Sequence, residues 1–314
     1  MTVAVRIAVW ASLLFLPTLF PAPRGGEEKT AHWIAELSCD RLARRDEAFL
    51  QLQLLGKRAR PELEGALDGA GFQAGLAIRY LLDHEPVEQE MGEIAAGKYT
   101  VGHSDRSFDN PAREVALHAF LIDRYEVTSF MYYIFVRSTG HRVPPGWRDG
   151  RYAPGHENLP VTRVSFADAK AYAVWAGKRL PTETEWEAAA RGKAGLIFPW
   201  GNRLSIDTRH AANVDSLRLA PVGSRKRDEV ECGARDMTGN AAEWVIGRDK
   251  SNRPTPARKG AAFNMPFQLH VAALCFRALP VAGDARHYEL GFRCVKDVSP
   301  IRPLPGDRSP RSGS

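Results

Sequence analysis

The chain has 314 residues, 44% apolar and 25% charged, an ordinary composition for a soluble globular protein with room for one large core or two modest ones. Its formal net charge of +6 comes from 43 Lys and Arg against 37 Asp and Glu; no basic block is interleaved with aromatics, so no nucleic-acid partner is expected. Cys39, Cys232, Cys275 and Cys294 are too few and too scattered for a disulfide scaffold, and the absence of any Cys-x-x-Cys pair excludes a zinc ribbon or dithiol redox motif.

At the N-terminus, Arg6 precedes fourteen mostly apolar, uncharged residues that end at Pro21-Ala22-Pro23. That run is short for a hydrocarbon core of ~30 Å but fits the apolar region of a signal peptide. No clean Ala-x-Ala precedes Arg24, so residues 1–23 read as a signal peptide or an uncleaved N-terminal membrane anchor. Either reading makes the chain exported: periplasmic, secreted or membrane-anchored. Cys39 follows Glu36-Leu37-Ser38, but the acidic residue and the distance from the apolar run argue against a lipoprotein box.

Residues 24–88 read as a small helical segment. Between Asp46 and Leu55, the residues Phe49, Leu52 and Leu55 share one helical face, and Gly56 is a helix stop. Pro61 opens a second helix running to Leu67, as proline at the first helical position does. A third is expected from Phe72 to Leu82, with Phe72, Leu76 and Tyr80-Leu81-Leu82 at helical spacing. The phrase Leu55-Gly56-Lys57-Arg58-Ala59-Arg60-Pro61 resembles the turn of a HEAT-type helical pair. One or two such units cannot bury a solenoid core alone.

From about Glu88 the texture shifts to Gly, Pro, Trp and short alternating runs, and residues 89–298 read as one α+β domain of short strands and long ordered loops. Three helices are predicted within it. The first follows Thr128 as its cap and stops at Gly140. The second begins at Ser165, with Asp168 completing a capping box, and ends at Gly177. The third is capped by Thr182 with Glu185 and ends at Gly192. Ala176-Gly177-Lys178-Arg179 follows a helix instead of preceding one, which makes it a helix exit and not a phosphate loop. No His-Glu-x-x-His, Walker, Gly-x-Ser-x-Gly or dinucleotide motif is present. Residues 299–314, rich in Pro, Arg, Ser and Gly, read as a disordered tail.

Eight segments of this domain carry a resemblance in order. They are Gly97-Lys98-Tyr99-Thr100-Val101-Gly102; Phe120-Leu121-Ile122-Asp123-Arg124-Tyr125-Glu126-Val127-Thr128; Leu159-Pro160-Val161-Thr162-Arg163-Val164-Ser165; Trp175-Ala176-Gly177-Lys178-Arg179-Leu180-Pro181-Thr182-Glu183-Thr184-Glu185-Trp186-Glu187; Phe198-Pro199-Trp200-Gly201-Asn202; Pro221-Val222-Gly223-Ser224; Asp236-Met237-Thr238-Gly239-Asn240-Ala241-Ala242-Glu243-Trp244; and Gly291-Phe292-Arg293-Cys294. Together they resemble the sulfatase-modifying-factor, or formylglycine-generating-enzyme, family. The resemblance implies a C-type lectin-like fold with little regular secondary structure.

Enzymes of that family oxidise a client cysteine to formylglycine, using copper held by two cysteine thiolates that follow a Gly-Gly-Ser-aromatic turn. Here the turn is Gly260-Ala261-Ala262-Phe263, so the family serine falls on Ala262 and the two cysteines fall on Met265 and His270. A thioether cannot deprotonate, so copper and formylglycine chemistry are not expected. Met265 and His270 are read as structural instead. The resemblance also implies calcium, held by the side chains of Asp236 and Glu243 and the carbonyls of Gly239 and Ala241. A second calcium site would involve Asn213, Val214, Asp215 and Leu217, in a shortened loop. Family disulfide partners of Cys275 and Cys294 fall on Ala190 and Ala173, so both are read as buried thiols, with mutual pairing left open.

Other members of the wider family are iron-dependent sulfoxide synthases that draw metal histidines from an added helical domain; here that part offers only His32 and His84. The expected function is a binding or scaffold module for a protein, peptide or glycan ligand. The alternative is a metal-dependent oxidoreductase, iron or copper, using the same groove.

Overall fold

The computed structural model describes residues 26–83, 90–204, 210–266, 268 and 273–298. The N-terminal apolar run, His84, His270 and residues 299–314, on which the expectations of a signal peptide or anchor and of a disordered tail fall, therefore lie outside the described residues.

The N-terminal segment is helical: α1 (Gly26–Glu36), α2 (Leu42–Leu55), a tight turn over Gly56–Ala59, α3 (Arg60–Ala66) and α4 (Phe72–Asp83). Gly56 ends α2 at φ +51°, a conformation open to glycine, and its amide donates to carbonyls of the last turn. Pro61 lies in the first turn of α3. Trp33, Leu37, Leu52, Leu63, Ile78 and Leu81 form a small core of their own, with Phe49 and Leu55 packed beside it.

The remainder carries short strands linked by long loops: β1 (Met91–Ile94), β2 (Gly97–Val101), β3 (Arg113–Leu117), β4 (Phe120–Asp123), α5 (Ser129–Thr139), α6 (Phe166–Trp175), α7 (Glu183–Arg191), β5 (Ala242–Arg248), β6 (Pro254–Lys259), β7 (Leu279–Pro280), β8 (Leu290–Gly291) and β9 (Val295–Asp297). They make a three-stranded sheet ordered β1-β4-β9, a β2-β3 hairpin, and a four-stranded sheet ordered β7-β6-β5-β8 in which β5 and β8 run parallel. The three helices start where their caps dictate. Thr128 accepts from the Met131 amide, and Ser165–Asp168 and Thr182–Glu185 form reciprocal capping boxes.

The main core lies between α5, α6 and the four-stranded sheet, built on Tyr132, Tyr172, Trp244, Leu290 and Phe292. The helical segment docks on it. α2 is apolar on two faces, so the single stripe read from the sequence is half of the pattern. Leu50, 2% exposed, joins Phe130, Tyr133, Ile134 and Tyr152 in one cluster, with Leu54 beside it. Arg151 lies over both Phe49 and Tyr133, 5.1 and 5.3 Å from the ring centres. The Gly155 amide donates to the Tyr80 hydroxyl at 3.0 Å.

Candidate functional site

The loop leading into β5 and the loop leaving β6 meet at the centre of the domain. Gly239 sits where the chain passes the Asn213–Val214 turn so closely that a Cβ would stand 2.6 Å from the Asn213 carbonyl oxygen. Asn240, in the left-handed region at φ +67°, ties three segments together. Its amide donates to the Asn213 carbonyl at 2.8 Å, its Oδ1 accepts from the Asn213 side chain and from the Ala220 amide, and its carbonyl accepts from the Phe263 amide. The Met265 carbonyl in turn accepts from the Asp215 amide at 2.8 Å.

Beneath this junction is a buried charge cluster. Glu243, on β5, accepts from Arg293 Nε at 2.8 Å and Nη2 at 2.7 Å, and its Oε2 also accepts from the Trp186 indole at 2.7 Å. Arg293 completes its donor set on the carbonyls of Asp123, Arg124 and Arg235. Glu126, fully buried, accepts from the Ala241 amide at 3.0 Å and from Asn240 Nδ2 at 3.1 Å. Asp236 accepts from the Gly223 amide at 2.5 Å, and Asp228 from the Thr238 amide. Burial, followed by the neighbouring Asp236 and Glu243 carboxylates, pushes Glu126 well above the ordinary carboxyl range. Burial does the same to Asp228, and lifts Asp236 to about 6.

Of the expected calcium ligands, Asp236 and Glu243 lie near enough for the Glu243 charge to raise the Asp236 carboxyl, after burial. Asp236 and Glu243 are both buried, around the turn that carries Gly239 and Ala241. Asn213 and Val214 pack under that turn, whereas Asp215 is exposed and Leu217 is 95% exposed on the outer side of the loop. Among the described residues, no three His, Cys, Asp or Glu side chains are arranged to hold a metal ion by themselves. A calcium ion here would therefore depend on backbone carbonyls. Asp236 and those carbonyls suit it, because they are hard oxygen donors in a pocket with more carboxyls than cations. Glu243 suits it less, since Arg293 and Trp186 engage both its oxygens. Sequence reasoning gave no role to Glu126, Asp228 and Arg293, although Glu126 and Arg293 stand inside quoted motifs. For Glu126 and Arg293 the signal was a charge between apolar neighbours, whereas Asp228 lies in the charged run Arg225-Lys226-Arg227-Asp228-Glu229 and carried none.

Trp244 and the loop after β6 pack on the opposite face of β5 and β6. Ala262 is fully buried in the main core, and Met265 packs against the same cluster as Trp244 and Phe166. Trp244 is held by its indole, which donates to the Val164 carbonyl at 2.9 Å. The cysteines are elsewhere: Cys275 sits with Phe108 and Phe198, and Cys294 sits in the main core. Both are free thiols, so the reading as buried thiols holds and they do not pair with each other. Burial raises the pKa of both, and of Cys232, so all three stay protonated.

The short strands and three capped helices joined by long loops are those of the formylglycine-generating-enzyme-like fold. The chain belongs to the family of the sulfatase-modifying factor enzyme 1-like domain, whose model matches residues 81–298. It is 29% identical over 286 residues to the formylglycine-generating enzyme of Bos taurus, covering 67% of this chain and 75% of that protein. It is 36% identical over 172 residues to the hercynine oxygenase of Mycobacterium tuberculosis, covering 44% of this chain and 40% of that protein. Among solved structures, PvdO from Pseudomonas aeruginosa superposes with a TM-score of 0.54 at 25% identity, over 67% of this chain and 94% of that one.

Proposed function

We propose that this chain is a binding module of the family, holding its ligand in the cavity beside Met265, and that it does not generate formylglycine. The observation that supports this reading is the packing of the Met265 thioether on the apolar cluster, at the position that the family resemblance gives to a copper-binding thiolate. A thioether cannot supply the charge that a bis-thiolate copper site needs. The other aligned position, His270, is outside the described residues and is proposed as structural. The ligand is proposed to be a protein, peptide or glycan met outside the cytoplasm. The apolar run before Pro21 supports export, as a cleaved leader or as an N-terminal anchor. Among the described residues, no helix is long and apolar enough to cross a membrane.

We further propose calcium at the β5 turn, on the Asp236 carboxylate and the carbonyls of Gly239 and Ala241. The buried excess of carboxyls supports it, because a cation would let Glu126 and Asp236 ionise. Glu243 would join as a ligand by yielding a contact to Arg293 or Trp186. The Asn213–Val214 turn, already bonded to Asn240, is proposed as the weaker second position.

Incubating a Cys-x-Pro-x-Arg peptide with copper-loaded full chain and weighing it by mass spectrometry tests the central claim. An unchanged cysteine is expected. Copper-dependent conversion to formylglycine would return the chain to the oxidases of its family, and oxygen uptake with iron and a thiol substrate would favour the second class of reading.

A further inference from the structure

A cavity of about 160 Å³ opens beside Met265, walled by Met265, Ala273, Phe276 and Leu279 and carrying the guanidiniums of Arg258 and Arg277. Strand alternation sets the direction of Arg258. On β6, Ala257 joins the Trp186 cluster and Lys259 pairs with Glu187, so both side chains enter the layer beneath the sheet. Arg258, between them, leaves from the other face, where its cross-strand neighbours are Trp244 and Leu279.

The basic groups around the cavity are not equivalent. Lys259 is neutralised by Glu187 at 2.9 Å and bonds two carbonyls, and Arg277 pairs with Asp109 at 2.8 Å on the surface. Arg258 is half-buried and makes no hydrogen bond or ion pair among the described residues. Glu289 attracts it only from beyond bonding distance, and the Oε2 of Glu289 is itself buried without a partner. Burial costs a guanidinium its water and leaves five N–H donors in want of acceptors. This fold therefore holds a partly desolvated cation, with no partner among the described residues, at the edge of an apolar cavity.

We propose that Arg258 receives a carboxylate carried on an apolar stem. This rests on the binding-module reading above and names the chemistry of its ligand. The planar guanidinium fork matches a carboxylate with two parallel hydrogen bonds. A phosphate would want further donors; Arg277 is taken up by Asp109 and Lys259 by Glu187, and the thioether, methyl and phenyl walls offer none. The volume also limits the ligand. At about 30 Å³ per water-sized group, the cavity takes roughly five, enough for a carboxylate and a short branched stem. A free acid and an acidic or C-terminal residue of a peptide share this chemistry.

The test is calorimetric titration of the full chain with N-acetyl-leucine, N-acetyl-leucinamide, inorganic phosphate, and a blocked peptide bearing one aspartate between leucines. One of the carboxylates is expected to bind about tenfold or more tightly than the amide, and the tighter of the two identifies the source. Arg258→Gln should bring carboxylate binding down to the level of the amide, and Arg258→Lys, which keeps charge but loses the fork, should fall between. If Arg258→Gln does not fold, the wild-type contrast between acid and amide still decides. Equal binding of acid and amide, tighter binding of phosphate, or no saturable binding by either carboxylate would overturn the proposal. Oxidation of a thiol peptide with carboxylate binding intact would instead overturn the binding-module reading and leave this one standing.

Discussion

The Glu243 carboxylate and the Arg293 guanidinium meet at 2.7 and 2.8 Å with the two residues 1% and 0% exposed, and the strands β5 and β8 converge on them. Removing one partner leaves a charge in the interior with no water, which costs about 3–5 kcal/mol, whereas replacing both with apolar groups costs less. Arg293→Met should therefore lower the stability of the chain by about that amount, and Glu243→Leu in the same background should recover part of it. Urea unfolding of the two single variants and the double variant measures the coupling. Additive losses would show that the pair is not a unit.

Gly239 has no room for a side chain. Gly239→Ala would place a methyl 2.6 Å from the Asn213 carbonyl oxygen, so the two loops must part. A loss of about 1–3 kcal/mol is expected from such overpacking. An unchanged thermal midpoint would mean that the loops part without cost.

Calcium should raise the melting temperature. If it binds only the folded chain, a concentration a hundredfold above Kd adds about 2.7 kcal/mol. Melting in chelator and in calcium gives the difference, and Asp236→Ala should abolish it. Equal melting of the wild type in both would remove calcium from the account.

The docked helices should contribute stability without being needed for the fold. Residues 91–298 contain the capped helices, all three sheets and the main core, so they should unfold cooperatively when expressed without residues 24–88. Their midpoint should be lower, because Phe130, Tyr133 and Ile134 lose Leu50 as cover. In the full chain, Leu50→Ala should cost about 2–5 kcal/mol, as truncation of a buried leucine does. Tryptophan fluorescence during denaturation follows both, and loss of cooperativity in the shorter chain would show that the helices complete the core.

Acid should weaken the start of α7. Burial works to raise the Glu185 carboxyl, but Arg179 at 2.6 and 2.8 Å and the Thr182 cap outweigh it, so its pKa lies below the ordinary 4.5. A depressed folded-state value means that the stabilisation is complete above the unfolded pKa and is lost as pH falls through the folded one. Glu185→Gln should thus be less stable than wild type at neutral pH and converge with it in strong acid. Parallel stability curves across that range would rule this linkage out.

Much of the fold could be read along the chain, because its signals are local. Thr128, Ser165 and Thr182 cap helices through contacts three residues away, and Gly56 and Gly140 stop helices by adopting a backbone that costs them little. The ordered motifs from Gly97 to Cys294 likewise led to the family that the match over residues 81–298 shows. α2 was read incompletely for a related reason. Periodicity reports that a face is apolar, but not that a second face, through Leu50 and Leu54, has a partner about eighty residues on in α5.

The site divides along the same line. The family resemblance led from the sequence to Asp236, Gly239, Ala241 and Glu243 as one group and to the expectation that Met265 stands where the family has a thiolate, since motifs are matched by residue identity and order. Only the tertiary structure brought Arg293 onto Glu243, Glu126 under Asn240, and Asn213 against Gly239. Those contacts cross 26 to 114 positions, and burial there decides which carboxyls keep their protons. The same holds for Arg258. Its charge was always in the sequence, but its want of a partner depends on Lys259 turning inward to Glu187 and on the pleat of β6 turning Arg258 the other way.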